Sequence, residues 1–584
     1  MKKFFRKPLS AALALALVLS LGLTALAAWP SFQNASANNG IIATQPPITT
    51  PSVATLGLPY GGDKYSAVDA ASVIGNSVSY TLYNGGPSSN ANGGARVQAT
   101  NLSTGATVWN VQIDSDANND NQLSTPYLVT SGTTNSELFA AIQYSSNIFA
   151  TSTVSGWTES GTADIDGTTA TFAPGTTGSI STSVTFADPV SYIYLPTNLS
   201  SSDEDTGTYT ITLTDGATPP ETTTLGSGAL SEYGTYDIYN GPTGKFSANT
   251  EYTLTITVNN NTTSTTVNQI TLTRYDWRLY SLTDLSSRTP TVTLAVGDTV
   301  INPLYEGQPN TPINYDSRGY IYWGIYGGTH SYYQYNTSVS PRVLTTCTPT
   351  LPTQGFDDFY GAGSYIDGAN VYFGSESGLI YIQPVQDFSS VGKYLDLTQT
   401  QADAGAVRSS IVNNGTTFYL TSRGTGSTGY LWQINSSLST LVALPLPGNS
   451  TSTPVATANS QVYVGWSESF GGGGIVGVPT GNFVQTALFD VYGNGAGTGS
   501  AAGDPVQSSP IVYSDTDDEI DYIYFTTNSS SGKGYAYSYT VGASAVLLWS
   551  AGGTSNNPYA VQGFASDGGY LVYGDDGNYL YIMH

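Results

Sequence analysis

Beyond an N-terminal apolar run, apolar and polar residues alternate with a period of two in many short stretches, such as residues 180–186 and 251–258. Such alternation is typical of a β-strand with one buried face. Clusters of Gly, Asn, Ser, Thr or Pro, which favour turns, bound each stretch. No later stretch has the 3.6-residue period of an amphipathic helix. The pattern therefore predicts an all-β protein built from short antiparallel strands.

The strands recur within a larger repeat. A Ser/Thr-Pro or similar dipeptide leads into a first strand, and aromatic strands follow across Gly or Asn turns. Copies of this repeat begin at Thr311, Gly363, Ser409, Thr453, Ser509 and Gly563. Their spacing of about 40–55 residues suits four-stranded blades. The last copy has only three strands, so residues 50–55 are predicted to supply its fourth. We therefore expect an eight-bladed β-propeller, with a seven-bladed ring as the alternative.

One stretch, residues 99–109, carries a recognisable motif. It reads ATNLSTGATVW and predicts a strand, a tight turn and a return strand, with Gly105 in the left-handed conformation. The pattern A-x-N-x-x-T-G-x-x-x-W closely resembles the repeat signature of the PQQ-like (quinoprotein-type) β-propellers. In that family the tryptophan docks between neighbouring blades. The resemblance therefore implies that Trp109 is a docking residue.

Blade two departs from the repeat. Its first two strands are predicted at residues 124–129 and 138–142, but its third and fourth follow only at 277–282 and 290–294. The stretch between them has its own alternating runs and predicts an inserted antiparallel β-sandwich, since exposed hairpins tolerate insertions. The expected division is 1–27 signal peptide, 28–145 propeller, 146–275 sandwich and 276–584 propeller. The sandwich loosely resembles carbohydrate-binding or adhesion modules.

The N-terminus indicates export. Four basic residues precede an apolar run at residues 9–26, and small residues at 25–27 suit a signal peptidase. No later stretch has the ~20 apolar residues that a membrane span needs. We therefore expect a secreted or cell-surface protein without a membrane span. Removing the signal leaves twelve basic against 41 acidic residues, a balance that argues against nucleic acid as a partner.

Groups for nucleophilic catalysis are scarce. His330 and His584 are the only histidines, and the Gly/Thr/Ser/Tyr turn around His330 predicts a solvated loop residue. Cys347, the single cysteine, is predicted to be a small buried hydrophobe. Phosphate-binding and zinc motifs are absent. The sequence therefore favours a non-catalytic scaffold that binds an envelope protein or a surface glycan. Trp157 in the sandwich is a candidate for stacking on a sugar, with a core role as the alternative.

Two enzymatic alternatives remain open at this point. The family resemblance implies a quinoprotein-type dehydrogenase using PQQ and calcium, although a single cysteine cannot form the vicinal pair common in that family. A carbohydrate-active enzyme with paired carboxylates is the other, because such pairs have no sequence signature.

Two acidic loops predict calcium binding, because calcium prefers oxygen ligands and alternating oxygen side chains can converge in a looped backbone. The ligands expected in the first loop are Asp114, Asp116, Asn118 and Asp120. The second loop offers Asp515, Asp517 and Asp521 with irregular spacing. A solvated acidic loop is the alternative for both.

Overall fold

A computed structural model describes residues 32, 38–59, 68, 70–85, 94–114, 123–131, 134–195, 197–200, 205–230, 237–241, 244–297, 305–351, 355–389, 392–468, 471–493 and 502–584. These residues form 42 strands and two 3-10 helices, Leu397–Gln399 and Gln485–Ala487. The all-β prediction is confirmed. The predicted signal peptide lies outside the described residues. Within the described ranges, no helix is both long and apolar enough to cross a bilayer.

The first part of the propeller contains seven strands. They are β1 Val53–Gly57, β2 Val73–Gly75, β3 Val78–Asn84, β4 Ala95–Asn101, β5 Thr107–Gln112, β6 Tyr127–Ser131 and β7 Thr134–Thr151. Strands β2 to β5 form a four-stranded antiparallel sheet, blade 1. Strands β6 and β7 begin blade 2.

Ten strands follow before the chain returns to the propeller. They are β8 Thr158–Gly161, β9 Ala163–Asp166, β10 Thr169–Phe172, β11 Gly178–Thr185, β12 Tyr192–Leu195, β13 Thr197–Ser200, β14 Thr208–Asp215, β15 Thr222–Ala229, β16 Asp237–Asn240 and β17 Glu251–Asn259.

The second part of the propeller begins with β18 Thr265–Thr283 and β19 Thr291–Val296, which complete blade 2. Blade 3 contains β20 Asn314–Tyr315, β21 Tyr320–Gly324, β22 Tyr332–Asn336 and β23 Val343–Cys347. Blade 4 contains β24 Tyr365–Ile366, β25 Asn370–Gly374, β26 Leu379–Pro384 and β27 Lys393–Asp396. Blade 5 contains β28 Val412–Asn413, β29 Thr417–Ser422, β30 Tyr430–Asn435 and β31 Leu441–Pro445.

Blades 6 to 8 complete the propeller. Blade 6 contains β32 Val455–Ala456, β33 Gln461–Glu468, β34 Gly472–Pro479 and β35 Phe489–Tyr492. Blade 7 contains β36 Ile511–Asp515, β37 Ile520–Thr526, β38 Gly534–Thr540 and β39 Val546–Ala551. Blade 8 contains β40 Ala565–Asp567, β41 Tyr570–Gly574 and β42 Tyr579–Met583, with β1 as its outer strand. Strand β1 overlaps the stretch from which the sequence predicts the closing strand, and Val53 pairs with Met583.

Hydrogen bonds join each blade to the next and the last to the first. Each interface has such a donor–acceptor pair, beginning between blades 1 and 2 and ending between blades 8 and 1. The pairs are Ala71 N–Thr125 Oγ1 (3.2 Å), Ile313 N–Thr125 O (3.0 Å), Asn314 Nδ2–Ser364 O, Gly363 N–Ser410 Oγ (3.0 Å), Ser410 N–Thr453 Oγ1 (2.9 Å), Thr453 N–Ser509 Oγ (2.8 Å), Thr526 Oγ1–Ala560 O (3.4 Å) and Val68 N–Asp575 O (3.3 Å). Most lie where an innermost strand begins, which explains the Ser and Thr residues at the start of most repeats.

The two strands that carry the insertion do not stop at the predicted boundaries of 146 and 275. Strands β7 and β18 pair along their whole shared length. The first pair is Glu137 with Thr283, the last is Thr151 with Ile270, and the register shifts once between them. The reason is that an unbroken ladder keeps every backbone N–H and C=O paired as the chain leaves the blade. A two-stranded ribbon therefore carries the sandwich.

The sandwich consists of two antiparallel sheets. One has the strand order β15-β14-β17-β11-β8, and the other combines the outer part of β18 with β16, β12, β10 and β9. Alternate residues of both sheets, among them Ile180, Ile211, Ile256 and Val267, bury their side chains in one core. This alternation is the period-two pattern that the sequence showed.

Tyrosine hydroxyls that donate to aspartate carboxylates recur around the propeller. The pairs are Tyr322–Asp316 (3.1 Å), Tyr372–Asp367 (2.7 Å), Tyr381–Asp357 (3.0 Å), Tyr430–Asp403 (2.8 Å), Tyr463–Asp521 (2.8 Å) and Tyr581–Asp575 (2.9 Å). Hydrogen bonds to an ionised group are stronger than neutral ones. Many acidic residues of this chain therefore stabilise its fold.

The ribbon geometry predicts that the sandwich can be removed. Tyr144 and Asp276 are paired, so an Asn-Gly turn in place of residues 145–275 would close a two-residue hairpin. Arg274 leaves with the sandwich, so Asp276→Asn and Glu306→Gln are added to avoid unpaired buried charges. We expect a folded, protease-resistant ring with a cooperative melting transition, measured by limited proteolysis and circular dichroism. Global unfolding of this variant would contradict an independent insertion.

Candidate functional site

A cavity of about 300 Å³ lies on the propeller axis, where the innermost strands begin. Its lining comes largely from the residues that precede these strands in blades 2 to 8. These are Thr125, Asn310, Pro312, Tyr360, Gly361, Arg408, Thr451, Thr453, Gln507, Ser509, Val561 and Gln562. Phe32, Leu123, Arg423, Asn449 and Ser467 complete the lining. Repetition of one blade position thus brings together residues far apart in the sequence.

The cavity contains little net positive charge. Arg408 makes a bidentate contact with Glu376, with N–O distances of 2.8 and 2.6 Å, and its guanidinium lies 4.5 Å from the centre of the Tyr360 ring. Arg423 is exposed and forms no ion pair with any other residue that the structure describes. A polyanionic quinone would need a concentrated basic pocket.

An N-terminal segment, residues 38–42, crosses the channel beside this cavity. The Asn38 amide donates to the carbonyls of Ser364 and Ile411, at 2.7 and 3.1 Å. The Asn39 side chain both donates to and accepts from the backbone of Ala456, at 3.1 Å in each direction. Ile42 donates to the carbonyl of Val512 at 2.8 Å. Asn38 also accepts from the Asn314 amide at 3.3 Å, so the segment contacts blades 3 to 7. Sequence reasoning missed it because Asn-rich segments resemble linkers.

The sandwich contacts the propeller beside the same cavity. Glu306 accepts hydrogen bonds from the backbone N–H groups of Ser191 and Tyr192, at 3.0 and 3.4 Å, and from the Ser191 hydroxyl. This fully buried carboxylate therefore holds β12 on blade 3. Arg274 lies 3.4 Å from Glu306 and 2.8 Å from Asp276, forming a buried ion cluster beneath the contact.

The prediction that His330 is a solvated loop residue is wrong. Its side chain is buried, its Nδ1 lies 2.8 Å from Asp358, and its Nε2 lies 3.3 Å from the Gly241 carbonyl of the sandwich. Phe356 stacks on the ring with 5.0 Å between centroids. Burial arises because the insertion covers the turn. Protein oxygens face both ring nitrogens, so neither is open to a substrate.

The structure places Trp109 between blades 1 and 2. The indole N–H donates to the carbonyl of Leu285 at 2.8 Å, and the ring packs against Tyr80. Gly105 has φ +64° and donates to Asn101 O at 2.9 Å. A non-glycine residue would be strained in this conformation. Both residues are structural.

The first predicted calcium loop lies largely outside the described residues, which include Asp114 but not Asp116, Asn118 or Asp120. Asp114 accepts hydrogen bonds from Arg278, at 3.0 Å, and from the Tyr280 hydroxyl. Its carboxylate is therefore already bound by two donors.

The second predicted calcium loop has its carboxylates in separate surroundings. Asp515 caps the turn by accepting from the backbone N–H groups of Asp517 and Asp518. Asp521 is buried and accepts from Asn459, Ser514 and Tyr463, among others. In the described ranges, no three His, Cys, Asp or Glu side chains are arranged to hold a metal ion.

Trp157 and Cys347 both pack against other parts of the protein. Trp157 is half-buried and packs against the sandwich core. Cys347 is buried, as predicted, and burial raises the pKa of its thiol to about 12. Such a thiol is unreactive at neutral pH.

Comparison with known proteins gives similarity of fold only. No family model and no curated protein matches the chain. Among solved structures it is similar to Sqt1 from Chaetomium thermophilum, at 11% identity over 91% of this chain and 98% of that one, with a TM-score of 0.45. BamB from Moraxella catarrhalis gives 10% identity over 53% and 79%, with a TM-score of 0.34. A europium-containing methanol dehydrogenase gives 10% over 44% and 52%, with a TM-score of 0.30. The repeated four-stranded antiparallel sheets, rather than these alignments, identify the fold as a β-propeller type.

Proposed function

We propose that this protein is a non-catalytic, secreted or cell-surface scaffold whose central cavity binds an envelope protein or a surface polysaccharide. The lining of the cavity carries the proposal. Amide and hydroxyl side chains from several blades converge there, and the described lining contains no carboxylate, imidazole or thiol. Uncharged hydrogen-bonding groups around a concave site suit the recognition of a polar ligand.

Two carboxylates beside the lining, Glu376 and Asp358, already have partners, which argues against their use as a catalytic pair. Both oxygens of Glu376 contact Arg408. One oxygen of Asp358 faces His330 and also accepts from the backbone N–H of Gly327 at 2.7 Å. A glycosidase needs one carboxylic acid that gives a proton to the leaving group and one carboxylate open to water or substrate. These contacts favour binding over turnover.

Parallel assays of binding and turnover test the proposal. The exported chain is sedimented with purified cell-wall polysaccharide and with envelope membranes, while reducing ends are assayed in the same samples. We expect co-sedimentation without release of reducing ends. Reducing-end release, or dye-linked alcohol oxidation after addition of PQQ and calcium, would contradict the proposal.

A matched pair of variants locates the binding. Thr451→Trp places a large ring in the cavity, whereas Thr440→Trp makes the same change at an exposed position in a loop of blade 5. We expect only the first variant to lose co-sedimentation. Equal binding by both variants would exclude the cavity as the site.

A further inference from the structure

Three tyrosines meet where the sandwich contacts the rim of the cavity: Tyr192 of β12, and Tyr326 and Tyr360 of the propeller. Tyr326 and Tyr360 are half-buried and pack edge to face, with 5.6 Å between ring centres. Tyr360 also lines the cavity and lies under the Arg408 guanidinium. The cluster is therefore continuous with the proposed binding cavity and partly open to solvent.

Tyr192 differs from the tyrosines that pair with aspartates. Its side chain is fully buried, and its hydroxyl has no hydrogen-bond partner among the residues that the structure describes. Burial is also the main cause that raises its pKa well above 10, so the group is a neutral donor. Leaving a buried hydroxyl unpaired is destabilising, because the group loses its hydrogen bonds to water. A buried hydroxyl of this kind calls for a partner beyond the described side chains, which a water or a ligand can supply.

The surroundings of the Tyr192 hydroxyl lead to the surface. Asp358, Tyr326 and Tyr360 are its electrostatic neighbours, and all three are part-exposed. The ring is held in place because Gly327, with φ +71°, approaches it so closely that a Cβ there would lie 2.4 Å from a ring carbon. Tyr192 therefore lies one layer beneath a part-exposed patch of aromatic and acidic side chains.

We propose that this tyrosine cluster binds a neutral oligosaccharide, a site that deepens the proposed scaffold function and rests on it. Tyrosine rings present an apolar face with a polar edge, which suits the C–H face and hydroxyls of a pyranose. Asp358, Glu376 and Arg408 are held by their own contacts and present fixed acceptors and donors. Because the Tyr192 hydroxyl lies one layer beneath the patch, a water that the ligand holds supplies its hydrogen-bond partner.

The charges of the cluster select against an acidic sugar. Arg408 is neutralised by Glu376, and Asp358 adds a further carboxylate beside the rings. A uronate would therefore meet repulsion at this patch. The ligand class is a neutral, hydroxyl-rich oligosaccharide.

Calorimetric titration of the full exported chain tests this inference. The probes are maltohexaose, cellohexaose and chitohexaose, with hexagalacturonate as the acidic comparison. We expect at least one neutral hexasaccharide to bind, and hexagalacturonate to bind more weakly. Absence of binding by all three neutral probes at millimolar concentration, or preference for the acidic one, would overturn the inference. If envelope co-sedimentation persisted in that case, only this site and not the scaffold function would fail.

Three variants assign the binding to the cluster. Tyr360→Ala is expected to weaken binding about tenfold or more, whereas Tyr394→Ala, at a tyrosine 47% exposed on β27, leaves it unchanged. Tyr192→Phe should weaken binding by roughly threefold to tenfold without lowering the melting temperature, because it removes a hydroxyl without a partner. A merely structural role would not give this split.

Two results would place the site elsewhere and overturn the assignment. One is unchanged affinity in Tyr360→Ala or in Tyr192→Phe. The other is loss of affinity in Trp157→Ala with full binding by Tyr360→Ala.

Discussion

Replacing Trp109 with alanine is expected to lower the free energy of unfolding by about 3–5 kcal/mol. The side chain is 4% exposed and belongs to the core shared by blades 1 and 2. Its truncation removes the contact with Tyr80 and leaves the Leu285 carbonyl without its donor. The effect is large because a cavity and an unpaired polar group arise together at a blade interface. Chemical denaturation followed by fluorescence measures the change.

Two matched variants separate the causes. Trp109→Phe keeps an aromatic ring but loses the indole N–H, so we expect a smaller loss of about 1–2 kcal/mol. Tyr394→Ala removes an exposed ring and should change the free energy of unfolding by no more than about 0.5 kcal/mol. Equal unfolding midpoints for Trp109→Ala and Tyr394→Ala would contradict a docking role for this tryptophan.

The second large effect is expected at the buried ion cluster between sandwich and propeller. Arg274 is fully buried beside Asp276 and Glu306, although these ion pairs depart from ideal hydrogen-bond geometry. Arg274→Met keeps much of the side-chain volume but removes the cation that contacts both carboxylates. Breaking a buried pair by removing one partner costs about 3–5 kcal/mol. We therefore expect a lower melting temperature at pH 8, measured by calorimetry.

The same cluster predicts a pH dependence. Burial raises the pKa of Asp276 to about 7, against the attraction of Arg274, and burial also raises the pKa of Glu306. A carboxyl whose pKa is higher in the folded state binds its proton more tightly there, so its stabilising effect is present below about pH 4 and is lost as the pH rises through 7. The melting temperature should therefore fall between pH 5.5 and pH 8, and the deficit of Arg274→Met should be smaller at pH 5.5.

Asp276→Asn isolates this effect from the general repulsion within a chain of net charge −25. The asparagine cannot ionise, so the fall in melting temperature between pH 5.5 and pH 8 should be smaller than in the unaltered protein. Asp517→Asn removes one charge from an exposed turn and serves as the matched control. Parallel pH profiles for all three proteins would show that Asp276 does not titrate in this range.

The strands could be predicted because their signals are local. Alternation over four to eight residues identifies a strand, and Gly105 between two strands identifies a turn. The repeat added long-range information, because identical positions in successive blades must lie at the same radius of a ring. The exact strand limits were less predictable, since β7 and β18 continue through the expected boundaries of the insertion as one ladder.

The candidate site was much less predictable. Pairing of Asp114 with Arg278 and Tyr280 depends on contact between blades, as does the burial of Asp521. An acidic loop therefore gives the same sequence signal whether its carboxylates face solvent, a metal ion or a tyrosine. His330 was misjudged for a related reason, because its cover comes from residue 241 of the sandwich.

The sequence by itself determined the all-β class and the repeat, because each depends on residues within one hairpin or at a constant spacing. The docking role of Trp109 came from the family resemblance, and the bounds predicted for the insertion fall within one continuous ladder. Only the tertiary structure decided which polar groups form hydrogen bonds within the protein and which are left without a partner among the described residues. Tyr192, Tyr326 and Tyr360 come from two domains and lie together only after the sandwich contacts blade 3. The physical reason is that burial and hydrogen bonding of a polar side chain are set by neighbours in space, which a local pattern does not specify.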